Sequence, residues 1–383
     1  MKIAVNVTAI PSFVHEVVRT LSCMITTSIL TDVRKIAVLR ANALGDYLFA
    51  VPALTALRET YPDAEIVLLG LHWHGAFLAG CAGPVDRVEV VPPYNEVGYL
   101  GEPQPEAEAQ FFDAMRAEHF DLALQIHGGG RNSNPFVQRL GARVTAGLCT
   151  PDAPRLDRWL PYVYYQSEIM RYLEVVRLVG ATTSAIEPTL ARRADDLAEA
   201  RRVLSANRVV IVHPGATDPR RRWPVAQFAA VVDALAADGA TIAVSGTASE
   251  RPLVEAVIAA MHAPAIDLCD RLSIGGFAGA LALADLLVSN DTGPFHLAAQ
   301  LARLRSASSG WQMLSPPSSH SAQRAAWRSP GALPARFVAR RCCTATMPML
   351  PATIVRRSSP RCQWARCWAT RANSWRSRSR ARS

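Results

Sequence analysis

One turn in the second half of the chain has the features of a phosphate-binding loop. Residues 290–294 read Asn-Asp-Thr-Gly-Pro, after an apolar run over residues 280–288 and before an apolar helical segment. We interpret this stretch as a strand, a tight turn and the start of a helix. Small residues, free backbone N–H groups and a helix N-terminus then lie in one place, which suits a bound phosphate or diphosphate.

The elements around this turn alternate as in an α/β protein. The first strand is predicted at residues 35–40, and a short loop, a helix and a second strand at residues 65–70 follow it. Strand, helix and strand over so short a length predict a right-handed parallel βαβ unit. Further strands are predicted at residues 87–91, 121–126 and 144–148, and residues 151–161 are predicted to form a loop.

A second α/β series follows a linker predicted at residues 182–188. Its strands are predicted at residues 209–212, 241–245, 265–268 and 285–289, with helices between them. Two open parallel-sheet domains place a ligand in the cleft, at the carboxyl ends of the strands. The predicted domains cover residues 33–185 and 186–302, with an atypical N-terminal extension over residues 1–32 and a tail over residues 303–383.

The charge distribution separates the tail from the rest of the chain. The 383 residues carry a net charge of +9, but residues 1–300 hold 25 Lys and Arg against 32 Asp and Glu. Residues 301–383 hold 16 Arg and no Lys, Asp or Glu. A folded α/β domain rarely changes composition so abruptly.

The cysteines and the N-terminus predict a cytoplasmic protein. Four of the eight Cys are scattered over the first 300 residues, and the other four crowd into the tail without a Cys-x-x-Cys pair. Residues 1–30 contain Lys2, His15, Glu16 and Arg19, so they fit neither a signal peptide nor a membrane span. Met24 is an alternative start, which would make residues 1–23 an over-extension. We expect reduced thiols, no metal site and no cofactor.

Three motifs in order resemble glycosyltransferase family nine, the ADP-heptose:lipopolysaccharide heptosyltransferase family. They are Leu-Gly-Asp at residues 44–46, His-Pro-Gly at residues 213–215 with Arg-Trp-Pro at residues 222–224, and Asn-Asp-Thr-Gly-Pro at residues 290–294. The resemblance covers about residues 35–301. It implies the GT-B fold, in which two Rossmann-like domains face across a cleft, and a nucleotide-sugar donor.

The resemblance makes Asp46 the general base, which takes the proton from the acceptor hydroxyl. Gly45, which precedes it in the first βα loop, is assigned to donor binding by the same resemblance. Inverting sugar transfer is a single in-line displacement and needs one such base. The alternative is an Asp at a helix N-terminus that complements the helix dipole, and the resemblance favours catalysis.

In the second domain the resemblance assigns donor binding to His213, Gly215 and Arg222. Positive charge and N–H donors near a departing nucleoside diphosphate lower the barrier. The family commonly has Lys where this chain has Arg222. Arg can bind phosphate with two N–H groups of its planar guanidinium. We favour Arg222 over Arg220 and Arg221; the alternative for all three is a solvated basic turn.

The same resemblance makes the turn at residues 290–294 a diphosphate site. Thr292 supplies a hydroxyl, Gly293 allows close approach of the backbone, and Asp291 either caps the helix or meets the sugar. Glu250 follows another strand, where a carboxylate binds ribose hydroxyls or only begins a helix. His296 is more typical of a structural histidine. The glycine-rich loop at residues 128–131 is either an acceptor site or a plain turn.

The tail departs from the family, which continues with an Ala-Leu-Gly-Thr-Pro-like turn, an apolar strand and a Phe-Gly-Pro turn. Residues 303–383 instead hold five of the eight Trp and four Cys amid Arg, Ser, Ala and Pro. We predict a frameshift near residues 300–305 that truncates the second domain. The alternative is a native Arg/Ser-rich tail that binds RNA or an anionic membrane, but such tails rarely hold five Trp.

The sequence therefore predicts an inverting, metal-independent glycosyltransferase. The resemblance implies transfer of heptose from an ADP-sugar donor to a lipopolysaccharide core or other lipid-linked acceptor. It further implies a cytoplasmic enzyme in peripheral contact with the inner membrane, with no nucleic-acid partner. The alternatives are transfer to a protein or other glycan, and an inactive nucleotide-binding or pseudogene product.

Overall fold

The computed structural model describes residues 29–95, 97–98, 102, 104–188, 190, 193–303, 311–314 and 352–357. The chain forms two compact units, Met1–Ala191 and Arg192–Ser383. Both are α/β units built on a largely parallel sheet. The predicted domain boundary at residues 185 and 186 lies shortly before the division between the units.

The first unit is a parallel sheet of strand order β3-β2-β1-β4-β5-β6. Its strands are β1 Lys35–Leu39, β2 Glu65–Gly70, β3 Arg87–Val90, β4 Leu122–Gln125, β5 Val144–Cys149 and β6 Arg158–Pro161. Its helices are α1 Leu44–Thr60, α2 His72–Leu78, α3 Pro105–Ala117, α4 Ser133–Gln138 and α5 Glu168–Arg177. Central strand β1 is apolar and almost wholly buried, as expected for a parallel strand covered on both faces.

Strand β6 corrects the prediction of a continuous loop over residues 151–161. Its residues Arg158–Pro161 pair in parallel with β5, with Ala146 opposite Arg158. The strand has the sequence Arg-Trp-Leu-Pro and lies at the edge of the sheet. An edge strand needs neither an apolar run nor every backbone N–H, so proline is tolerated there and the sequence pattern stays weak.

The second unit has the strand order β11-β12-β10-β7-β8-β9. Strands β7 Val209–His213, β8 Thr241–Val244, β9 Ala265–Asp267 and β10 Leu286–Asn290 are parallel. Helices α6 Ala194–Val203, α7 Val225–Ala237, α8 Arg251–Ala260, α9 Ile274–Leu283 and α10 Gly293–Arg303 accompany them. Its core contains Val212, Val244 and Val288 from three adjacent strands, packed with Phe228.

Two further strands lie within the tail predicted for residues 303–383. Strand β12, Ala352–Arg357, pairs antiparallel with β10, and β11, Trp311–Leu314, pairs antiparallel with β12. The backbone edge of β10 is therefore paired with β12, whereas the truncation predicted for the second domain would leave this edge open. The remainder of the predicted tail, and residues 1–28 of the predicted extension, lie outside the described residues. Among the described helices, none is both long and apolar enough to cross a membrane.

Candidate functional site

The carboxyl ends of three adjacent strands bring the predicted donor-binding loops together. Strands β10, β7 and β8 are neighbours in the second sheet, with Ser289 opposite His213 and Val212 opposite Val244. Because parallel strands end at the same edge, the loops that follow them meet there. This edge carries the segments 213–224, 245–250 and 290–293, which contain every donor-binding residue predicted in the second unit.

Asn290 fastens these loops to one another. Its side chain is fully buried, and its Oδ1 accepts a hydrogen bond of 3.0 Å from the backbone N–H of Trp223. Its Nδ2 donates to the carbonyl oxygens of Pro214 at 2.7 Å and Gly215 at 3.2 Å. Sequence reasoning placed Asn290 in the turn but not among the site residues. The sequence did contain a signal for this role, namely an Asn at the end of a predicted strand, because an amide can bind a backbone donor and backbone acceptors at the same time.

Asp291 pairs with Arg221. The Arg221 Nη2 lies 3.1 Å from Asp291 Oδ2, and the same guanidinium donates to the Asp291 carbonyl. On the other side, His296 Nε2 lies 3.4 Å from Asp291 Oδ1. The hydrogen bond from His296, reinforced by the charge of Arg221, lowers the pKa of the Asp291 carboxyl. The turn therefore begins with a carboxylate held between two basic side chains.

The three consecutive arginines have different partners. Arg222 donates from Nε to the Ala216 carbonyl at 2.9 Å and so braces the loop after β7. Arg220 forms an exposed ion pair with Asp218 at 2.7 Å, and the hydrogen bond from Arg220 lowers the pKa of Asp218 to about 2. Of the three, it is Arg221 that contacts the turn before α10. The phosphate role predicted for Arg222 stays a prediction.

The N-terminus of α10 lies directly after this turn. The helix begins at Gly293, and the Thr292 carbonyl accepts a hydrogen bond of 3.0 Å from the N–H of Phe295. The first N–H groups of a helix have no intrahelical acceptor, and the helix dipole adds positive potential there. Thr292 and Gly293 lie at this end of the helix, and the diphosphate role predicted for them stays a prediction.

Glu250 packs against Gly215. A Cβ built at Gly215 would overlap the Glu250 carboxylate, so a larger residue at this position would displace that carboxylate. Glu250 Oε2 accepts from Thr247 N at 2.9 Å and from Thr247 Oγ1 at 3.1 Å, which caps the 3₁₀ turn Ala248–Glu250. The capping alternative is thus present in the structure, and ribose binding by Glu250 stays a prediction.

His213 lies beside the same carboxylate. Its Nε2 is 3.8 Å from Glu250 Oε2, and its Nδ1 is 3.2 Å from Ser245 Oγ. Burial lowers the pKa of the His213 imidazole, against the opposing effect of the Glu250 charge. Desolvation favours the neutral ring, so His213 acts here as a hydrogen-bonding group and not as a fixed positive charge.

In the first unit, Asp46 lies in the first turn of α1, after Gly45. Its Oδ2 accepts from the Ala43 N–H at 3.2 Å, which is the helix-terminal role of the alternative interpretation. Its Oδ1 accepts from Arg40 Nη2 at 2.9 Å. The Asp46 side chain remains 34% exposed. A carboxylate that is oriented on both oxygens and still accessible can take a proton from a bound hydroxyl.

Arg40 is a second residue that sequence reasoning did not place in the site. It follows β1, its side chain is 4% exposed, and its Nη1 donates to the Ile126 carbonyl at 2.8 Å. Its guanidinium lies 4.9 Å from the Tyr172 ring centroid, and its Nη2 is 3.8 Å from Glu168 Oε2. Burial lowers the pKa of Arg40, and Asp46 and Glu168 oppose that shift. Arg40 therefore links the end of β4, helix α5 and Asp46.

The glycine-rich loop after β4 has a structural explanation. Gly130 has a φ of 97°, and a Cβ there would meet Asn134 and the Leu148 carbonyl. His127 Nδ1 accepts a hydrogen bond of 3.2 Å from the Ala41 N–H and ties this loop to the loop after β1.

Within the described part of the chain, no group of three His, Cys, Asp or Glu side chains is arranged to hold a metal ion.

Comparison with known proteins identifies the family. The model of glycosyltransferase family 9 (heptosyltransferase) matches residues 109–304, just over half of the 383 residues. Asp46 precedes the matched segment, so its assignment rests on the Leu-Gly-Asp motif and on its geometry. No curated protein matches the chain in sequence.

Solved structures share the fold at low sequence identity. A family 9 glycosyltransferase from Veillonella parvula superposes with a TM-score of 0.61 at 18% identity, covering 72% of this chain and 80% of that one. The E. coli ADP-heptose lps heptosyltransferase II gives 0.58 at 17% identity, covering 70% and 82%. E. coli heptosyltransferase WaaC, solved with ADP, gives 0.54 at 20% identity, covering 70% and 85%. With more than half of the chain matched by the family model, this protein is a glycosyltransferase and belongs to glycosyltransferase family 9, the heptosyltransferase family.

Proposed function

We propose that this enzyme transfers heptose from ADP-heptose to a lipopolysaccharide core acceptor with inversion at the anomeric carbon. The observation that carries the donor assignment is the edge of the second sheet. There, Asn290 fixes the loops around a helix N-terminus, and the Arg221 guanidinium lies beside it in an ion pair with Asp291. A diphosphate is the ligand class that such an edge recognises. Two solved relatives, one named for ADP-heptose and one solved with ADP, support ADP as the nucleotide.

In the proposed reaction, Asp46 takes the proton of the acceptor hydroxyl as that oxygen attacks the anomeric carbon. The new C–O bond forms while the bond to the β-phosphate oxygen breaks, and ADP leaves with the electron pair. The N-terminus of α10 and Arg221 stabilise the negative charge that develops on the diphosphate. Arg222, His213, Gly215 and Glu250 complete the donor site in this proposal. No step needs a metal or cofactor.

The acceptor places the proposed reaction at the cytoplasmic face of the inner membrane. A lipopolysaccharide core is lipid-linked, so the proposal includes peripheral contact between the enzyme and that membrane. No nucleic acid takes part. Transfer to a protein or another glycan, and binding of nucleotide without catalysis, are the competing outcomes.

The test is turnover of ADP-heptose by the purified full chain, with heptose-deficient lipopolysaccharide as acceptor. Asp46→Asn should lower kcat by about 10²- to 10⁴-fold, the usual contribution of a general base, with unchanged ADP affinity. Asp63→Asn, at an exposed position after α1, is the matched control and should keep wild-type kcat.

Each other outcome has a distinct meaning. Transfer only to a protein or another glycan would replace the proposed acceptor. ADP binding without turnover on any acceptor would identify an inactive nucleotide-binding product. A wild-type chain that binds no ADP would overturn the donor-site assignments.

A further inference from the structure

An exposed pair of tyrosines lies on the loop between β6 and α5. Tyr164 is 69% exposed and Tyr165 is 74% exposed, and the two rings meet edge to face with centroids 5.1 Å apart. The neighbouring Val163 and Met170 are also exposed, at 51% and 45%. Tyrosine has an apolar face and a polar hydroxyl, so such a pair presents an amphipathic surface for a ligand.

A buried cation holds the backbone of this loop. Arg171 is 1% exposed, and its Nη2 donates to the carbonyl oxygens of Val163 at 2.7 Å, Tyr164 at 3.2 Å and Gln166 at 3.1 Å. Its guanidinium also lies 4.3 Å from the Tyr162 ring centroid. The two N–H groups of this buried nitrogen, shared among the three carbonyls, fix the loop backbone while the tyrosine rings face solvent. The loop with its two exposed rings, Tyr164 and Tyr165, is called the tyrosine platform below. It is preorganised and needs little ordering when a ligand binds.

The loop lies at the same edge of the first sheet as Asp46. Strand β6 is parallel to its neighbours, so its carboxyl end faces the same way as that of β1. Glu168 joins the two places: it contacts Arg171, and its Oε2 lies 3.8 Å from Arg40 Nη2. Arg40 in turn binds Asp46 at 2.9 Å. One ionic network therefore fixes both the tyrosine loop and the proposed base.

The chemistry of this edge favours a saccharide over a membrane surface. Aromatic faces take the apolar C–H face of a sugar ring, and a carboxylate accepts hydrogen bonds from its hydroxyls. The Glu168 carboxylate is 35% exposed beside the loop. Residues 162–167 contain no Lys or Arg that would attract anionic headgroups.

We propose that the loop over residues 162–167 is an acceptor-binding subsite, on which Tyr164 and Tyr165 stack against a saccharide ring of the acceptor. This inference rests on the proposed function, because it assigns the platform to the acceptor of that reaction. It goes beyond that function by naming the residues of the first unit that recognise the acceptor. Glu168 would accept hydroxyl hydrogen bonds from the same saccharide.

The experiment uses de-acylated lipopolysaccharide inner-core oligosaccharide, which is soluble and carries no lipid. In the full chain, the double variant Tyr164→Ala/Tyr165→Ala should raise the acceptor KM and the calorimetric Kd for this oligosaccharide at least tenfold. The KM for ADP-heptose and the Kd for ADP should not change. Tyr164→Phe/Tyr165→Phe should retain most of the affinity, since the rings remain. Ile186→Ala, at an apolar position that is 53% exposed, is the control and should bind as wild type.

The outcomes separate this inference from the proposed function. If the wild type binds the oligosaccharide through the tyrosines but transfers no heptose, the acceptor subsite is supported and the proposed reaction is refuted. If the alanine variant binds the oligosaccharide as tightly as the wild type, or the wild type does not bind it, the platform is wrong. Loss of binding to phosphatidylethanolamine/phosphatidylglycerol vesicles with unchanged oligosaccharide Kd would assign the loop to the membrane and overturn the proposal.

Discussion

Replacing Arg40 with methionine tests whether Asp46 depends on a positioning residue. The change removes the guanidinium and keeps an unbranched, apolar side chain in the core. Asp46 Oδ1 loses its donor at 2.9 Å, while Oδ2 keeps the Ala43 N–H at 3.2 Å. We expect the carboxylate to rotate away from its oriented position. Misplacement of a catalytic group by about 1 Å costs up to about 10²-fold, so we expect kcat to fall by about 10- to 100-fold.

The same change has a cost in stability that can be worked out from the contacts. The Ile126 carbonyl loses a buried donor at 2.8 Å, which costs about 1–3 kcal/mol. Asp46 and Glu168 are each about one-third exposed, so each lost ion pair costs about 0–1 kcal/mol. Removal of a buried charge offsets part of this loss. We expect a net loss of about 2 kcal/mol, or about 4–8 °C in Tm for a unit of this size.

Arg58→Met is the matched control. Arg58 lies in the last turn of α1 and donates to the carbonyl oxygens of Pro62 at 2.9 Å and Ala64 at 2.7 Å. It also pairs with Asp86. The substitution is therefore chemically the same and should cost a similar amount of stability, but it removes no contact to Asp46. Steady-state kinetics and thermal melts of both variants are measured below the lower Tm.

The decisive comparison is kcat at equal folded fraction. Arg40→Met should lose kcat while Arg58→Met keeps it, with ADP affinity unchanged in both. Equal kcat in the two variants would show that Arg40 is a structural residue only. Loss of kcat in both would show that the assay reports stability and not the orientation of Asp46.

Four further outcomes follow from the second unit and the tail. Asn290→Ala removes a buried amide with three backbone hydrogen bonds, so it should cost about 2–4 kcal/mol of stability in thermal melts and weaken ADP binding in calorimetry. Gly215→Ala should also weaken ADP binding because the new methyl overlaps a carboxylate, whereas Gly75→Ala, which has open space, should not. The pKa of the Asp291 carboxyl is lowered in the folded chain. The ionised carboxylate therefore stabilises the fold above its ordinary pKa, and this stabilisation is lost as the pH falls through the lowered value. The Tm difference between wild type and Asp291→Asn should therefore narrow below about pH 4. For residues 303–383, translation of the gene's other reading frames should give an apolar strand and a Gly-Pro turn, and the frameshift prediction fails if no frame does.

The sequence predicted the sheet scaffold because buried parallel strands have a simple signature. Predicted strands at residues 35–40, 65–70 and 121–126 correspond to β1, β2 and β4. Each is an apolar run, as burial on both faces requires. Once the strands are parallel, residues just after them must share one edge. The grouping of His213 with Asp291 follows from that topology alone.

The sequence could not predict the partners of individual side chains, because these depend on the direction in which each side chain points. Arg221 and Arg222 are adjacent and chemically identical, yet Arg221 contacts Asp291 while Arg222 contacts the Ala216 carbonyl. The 3₁₀ turn Pro219–Arg221 decides which arginine faces the turn before α10. Arg40 and Arg171 were hidden for a different reason. Arginine is seldom fully buried unless it is paired, and the pairing appears only in three dimensions.

Each unit has a buried polar residue at the end of a central strand that organises the loops of its edge. In the first unit Arg40 holds a carbonyl and the Asp46 carboxylate, and in the second Asn290 holds two carbonyls and one N–H. The residue types match their partners: a carboxylate favours a cation, and a mixed set of neutral backbone groups favours an amide. Lysine at position 40 would keep the charge but lose the fork that reaches the Ile126 carbonyl and Asp46 together. Arg40→Lys should therefore recover less than half of the kcat lost in Arg40→Met, and full recovery would show that charge alone is sufficient.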